Sequence, residues 1–133
     1  MNLTKLSILL TVTSSLLWAA CGDDGDGTGG AGGQVACTLE ARSSVSVKVN
    51  DAMGIPVLDA IVTFSVDGGA EQDAECVQTA AAGGCEAWVA GWEVAGTFEI
   101  KAVSADGMSQ DTETVVVTKD ECHVISQSVT LTF

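Results

Sequence analysis

The chain has 133 residues, 18 acidic against 5 basic side chains, and a formal net charge of −13. So acidic a balance argues against nucleic acid as a partner, because phosphate contacts need a basic surface. It suits a solvated protein that meets cationic partners or divalent ions, and the length leaves room for one domain core.

Residues 1–5 carry a single positive charge, Lys5, and residues 6–18 form an apolar run containing Leu9, Leu10, Leu16 and Leu17. That run is shorter than the roughly 20 residues needed to span a bilayer. A basic start, a short apolar middle and the small residues Ala19 and Ala20 predict a cleaved secretory signal over 1–20. The next residue, Cys21, is the only cysteine among the first 36. Leu17, Ala19, Ala20 and Cys21 together resemble the lipobox of bacterial lipoproteins, with Trp18 standing where that family usually has an aliphatic residue. The resemblance implies a diacylglycerol on the Cys21 thiol, cleavage just before it and acylation of the new amino group. It further implies delivery to the outer membrane, since Gly22 rather than an aspartate follows the cysteine. Acyl chains contribute about 0.8 kcal/mol per buried methylene, so such an anchor needs no transmembrane helix. Losing Lys5 with the leader takes the net charge from −13 to −14.

Residues 22–34 are dominated by glycine and aspartate and hold no large apolar side chain. Such a segment buries too little surface to offset its ordering entropy, and residues 21–36 read as an acylated cysteine followed by a flexible tether. Asp24, Asp26, Thr28 and Gly29 echo the opening of a calcium loop. The position that needs a bidentate glutamate is Val35, however, so no calcium is expected there.

From residue 37 the pattern has a period of two. Residues 44–49 place Val45, Val47 and Val49 on one face with Ser44, Ser46 and Lys48 opposite, as in a half-buried strand. Residues 60–66 put Ala60, Val62, Phe64 and Val66 together and end at the turn Asp67-Gly68-Gly69. A third segment contains Cys76, a fourth covers 85–90, and a fifth covers 96–103 with Phe98, Ile100 and Ala102 aligned. Residues 112–118 and 123–133 complete the set, the last placing Ile125, Val129, Leu131 and Phe133 on one face. About seven strands separated by turn signals, with no helical period after the leader, predict an all-β antiparallel sandwich over residues 37–133.

Assigning Cys21 to lipid leaves Cys37, Cys76, Cys85 and Cys122, which allow three pairings in an oxidising compartment. Cys76 and Cys85 bracket a turn at 79–84 and suit a cross-hairpin disulfide; Cys37 and Cys122 would then tie the start of the domain to its last strand. A zinc site is the competing use. No C-x-x-C occurs, and the single histidine, His123, sits beside Cys122, where a strand would send the two side chains to opposite faces. No metal or other cofactor is expected.

The stretch Val47-Lys-Val-Asn-Asp-Ala-Met-Gly-Ile-Pro-Val-Leu-Asp-Ala-Ile-Val-Thr-Phe64 resembles the opening of carboxypeptidase regulatory-like domains. Ala95-Gly-Thr-Phe-Glu-Ile-Lys-Ala102 is similar to a later element of the same family. Over about residues 40–133 the resemblance implies an immunoglobulin-like or transthyretin-like sandwich. Residues 120–124 with the Cys76 and Cys85 pair also look like small envelope lipoproteins of Gram-negative bacteria.

Catalytic signatures are missing: no G-x-S-x-G, H-E-x-x-H or phosphate-binding loop is found, and the acidic pair Asp120 and Glu121 reads as solvated loop charge. The expectation is a non-catalytic binding or structural accessory at the outer membrane, facing the periplasm or the cell surface. Its partners would be the membrane, through the anchor, and an envelope protein or glycan. Trp88 and Trp92 are the candidate contact surface, weighed against packing in the core. The alternatives are an accessory or regulatory module of an envelope enzyme system, and a metal-dependent enzyme centred on His123.

Overall fold

The computed structural model describes residues 36–133. The leader, Cys21, the tether and the incomplete calcium loop at residues 24–29 lie outside the described residues. Eight strands are formed: β1 (Ser43–Asn50), β2 (Ile61–Val66), β3 (Gln72–Asp73), β4 (Glu75–Thr79), β5 (Cys85–Trp92), β6 (Gly96–Val103), β7 (Gln110–Val117) and β8 (Gln127–Thr132). No helix is present among the described residues. One sheet has the order β4-β5-β1-β8 and the other β3-β2-β6-β7.

Alternation decides which face of each strand is inside. Val45, Val47 and Val49 of β1, Val62 and Phe64 of β2, Phe98, Ile100 and Ala102 of β6, and Val129 and Leu131 of β8 are buried in one cluster between the sheets. The Phe64 and Phe98 rings stack across β2 and β6 with centroids 5.8 Å apart. Burying a side chain such as Phe98, Ile100 or Leu131 contributes about 1.5–3 kcal/mol. Ser44 is also fully buried, and its hydroxyl is satisfied by the Val94 N–H at 3.0 Å.

Three expectations need correction. The strand count is eight, because residues 72–73 pair briefly with β2 through Thr63 and Phe64. The sandwich is mainly, not wholly, antiparallel: β1 pairs antiparallel with β5 but parallel with β8, from Val45 opposite Gln127 to Asn50 opposite Thr132. Alternation is identical in both arrangements, so direction is invisible to it. The last strand begins at Gln127 rather than His123, and Ile125 is exposed instead of joining Val129 and Leu131 inside.

The β2–β3 connection shows how a turn is specified. Asp67 and Gly68 both have positive φ, 51° and 72°, and Gly69 N–H donates to the Val66 carbonyl at 2.8 Å. This is an Asp-Gly turn of the kind that matches strand twist. The sheets are stitched at one edge by Asp111 of β7, whose carboxylate accepts the Thr132 N–H of β8 at 2.9 Å. Both disulfides take the expected pairing, Cys76–Cys85 and Cys37–Cys122, with Cα separations of 5.9 and 5.2 Å.

Candidate functional site

Polar groups concentrate at the end of the sandwich where the chain enters β1. There residues 120–123 form a turn rather than a strand. One Asp120 oxygen accepts the N–H groups of Cys122 and His123, both at 2.8 Å, and Asp120 N–H donates to the His123 carbonyl at 2.9 Å. Those two N–H groups, His123 first, hold the Asp120 carboxyl below its ordinary value. Asp120 is therefore a turn-forming residue and not merely a solvated charge. The turn also replaces the strand alternation assumed for Cys122 and His123: Cys122 reaches back to Cys37, and His123 turns toward Glu93 and Thr38.

Glu93 lies between β5 and β6 with a positive φ of 55°. Its Oε1 accepts the Arg42 N–H at 2.7 Å and faces His123 Nδ1 at 2.8 Å; its Oε2 accepts the Val124 N–H at 3.2 Å. The Arg42 N–H leads the causes that lower the Glu93 pKa, with His123 and Val124 adding to it against the cost of desolvation. An ionised carboxylate can only accept, so Nδ1 carries the imidazole hydrogen. In the neutral ring Nε2 then accepts from the Thr38 hydroxyl at 2.9 Å. One carboxylate and one imidazole thus pin three separate stretches: residues 38–42, the β5–β6 connection and the turn before β8.

Arg42, Lys119 and His123 line an open hollow of about 760 Å³ beside this cluster. Arg42 and Lys119 are two of the four basic residues in the described chain. Both imidazole nitrogens are engaged, so a metal would have to displace Thr38 or Glu93 from His123. Among the described residues no group of three His, Cys, Asp or Glu side chains converges on a metal-sized space.

The tryptophans separate. Trp88 is 5% exposed and belongs to the core, which corrects its place on a contact surface. Trp92 is 44% exposed at the end of β5, and its indole N–H donates to Glu75 at 2.9 Å. Thr38 and Glu93 are the site residues that the sequence did not single out. Thr38 is 85 positions from His123, and no local spacing marks it.

No protein-family model matches the chain, and no curated protein matches it. The functional reading therefore stands on the residues themselves.

Proposed function

We propose that this protein is a non-catalytic lipoprotein of the cell envelope, anchored through Cys21 and carrying its sandwich at the outer membrane as a binding or structural accessory. The observation that carries this reading is the pairing of the other four cysteines: Cys37 with Cys122 and Cys76 with Cys85. That leaves no cysteine in the chain as a partner for Cys21, which stands at the seam between a signal-like leader and a Gly/Asp tether. The motif at 47–64 and the two-sheet architecture are in keeping with an immunoglobulin-like or transthyretin-like domain of the carboxypeptidase regulatory kind. An envelope protein or glycan is the partner, and the domain faces the periplasm or the cell surface. Mass spectrometry of the protein extracted from membranes tests the anchor. The expected N-terminal peptide begins at Cys21 and carries diacylglycerol, and Cys21→Ala moves the protein to the soluble fraction. An unmodified N-terminus would overturn the reading.

A second reading rests on the order hydroxyl, imidazole, carboxylate in Thr38, His123 and Glu93, at 2.9 and 2.8 Å. A nucleophile, a base and an orienting acid stand in this order in hydrolases. Hydrolysis of activated esters that disappears in Thr38→Val and His123→Gln would favour it over the anchoring role of these contacts.

A further inference from the structure

We propose that the end of the sandwich opposite Cys37 docks a basic, apolar segment of a protein partner, which gives the binding-module reading above a surface and a partner chemistry. β1 runs away from the Cys37–Cys122 bond and finishes at Asn50, opposite Thr132. Ile61 pairs with Val103, and Val103 with Gln110, so residues 51–60 and 104–109 lie at this same far end. Asp111 holds the Thr132 N–H, and Phe133 N–H donates to the Asn50 carbonyl at 3.2 Å, which joins the approaches of the two loops through the C-terminal residues.

Each loop is built to present apolar side chains outward. Asp51 Oδ1 accepts the N–H groups of Met53 and Ile55 at 2.9 and 2.8 Å, leaving Met53 81% and Ile55 56% exposed. Asp106 Oδ1 does the same for Met108 at 3.0 Å while accepting the Ser104 hydroxyl, and Met108 is 84% exposed. A single exposed apolar residue is ordinary; here Met53, Ile55 and Met108 are all presented from two loops at one end of the sandwich. Preformed loops also reduce the ordering cost of binding, and methionine adapts its shape to what it meets.

Charge decides the occupant. The loops at this end carry Asp51, Asp59 and Asp106 and no basic residue. The nearest bases, Lys48 and Lys101, sit on the strands two residues inside the ends of β1 and β6. Arg42 and Lys119 are at the opposite end. An anionic lipid surface is repelled by this arrangement, whereas an amphipathic segment with lysines or arginines beside its apolar residues is matched in both respects.

The test uses mature chain 21–133 with Cys21→Ser and 13C-labelled methionine methyls, which reports on Met53 and Met108 alone. The probe is a helical leucine-lysine peptide with its lysines on one face. Both methyl resonances are expected to move saturably. Calorimetry should show binding weakened at least about tenfold by shuffling the peptide or by Met53→Gln with Met108→Gln. Absence of a saturable shift, an equal response to the shuffled peptide, or a larger response to anionic vesicles would overturn the proposal. The lipid on Cys21 is measured separately, so a failed anchor and a failed docking surface give different results.

Discussion

Removing the Cys37–Cys122 disulfide isolates the cost of leaving the entry to β1 unpinned. Its ends are 85 residues apart, against 9 for Cys76–Cys85. With the entropy of a closed loop growing as its logarithm, the two cross-links contribute about 4.6 and 2.6 kcal/mol respectively. Cys37→Ala with Cys122→Ala should therefore cost about 2 kcal/mol more than Cys76→Ala with Cys85→Ala. The comparison favours the short loop's importance if anything, because Cys85 is buried and its truncation adds a packing loss. Urea unfolding of the two double variants, followed by circular dichroism, measures it. Free energies rather than midpoints must be compared, since a chain freed of its long cross-link expands on unfolding and steepens the transition. A domain of this size holds only about 5–15 kcal/mol in all, so the long-loop variant should be near the edge of folding at 37 °C. Equal costs, or a greater cost for the short loop, would refute the loop-entropy reasoning and shift the stabilisation to native contacts around Thr38 and Glu93.

At Gly84, φ is +86° and an added Cβ would lie 2.5 Å from the Leu58 carbonyl oxygen; at Gly107, φ is +71° with open space around it. Gly107→Ala should cost roughly 1–2 kcal/mol from conformation alone and Gly84→Ala clearly more, with urea unfolding as the measure and equal costs as the contrary result. Glu93 and Asp120 have lowered pKa values, so the stability they confer is complete above the ordinary carboxylate values of about 4.3 and 3.9 and is lost as pH falls through their lowered folded values. Glu93→Gln should flatten the acid limb of Tm against pH, and an unchanged limb would contradict the assignment. In the chain without its leader, Trp92→Phe should leave a fluorescence shielded from acrylamide by burial of Trp88, whereas Trp88→Phe should leave one that is readily quenched. Trp88→Ala should also cost about 3–5 kcal/mol, while Trp92→Ala stays well below that.

How much of this was legible depended on how local each feature is. The alternation of Phe98, Ile100 and Ala102 with Thr97, Glu99 and Lys101, after a glycine, predicts a strand over 96–103, and β6 occupies the same span. The turn at Asp67-Gly68 and the hairpin disulfide follow from equally local chemistry. Features assembled from distant segments were hidden. Glu93 meets His123 across 30 positions and Thr38 meets it across 85, and neither pair leaves a spacing in the sequence. The two tryptophans share the same alternation but not the same fate, since Gly91 between them has a φ of +75° and Trp92 ends its strand opposite Ser43. The apolar spacing alone implies extended chain from His123, but Asp120 organises a turn there and β8 starts only at Gln127.

The Cys37–Cys122 bond also divides mechanical tension. A pull applied upstream of residue 37 reaches β1 through residues 38–42 and, in parallel, reaches the approach to β8 through the covalent bridge. β1 and β8 lie side by side and run the same way. Drawn together from their starts, they do not slide past one another along their six residue pairs, and a load resisted at the far end must shear the two strands as a unit away from β5 rather than draw β1 out by itself. Pulling on single molecules should therefore give a lower rupture force after reduction than before it, and an unchanged force would mean that β1 carries the tension alone.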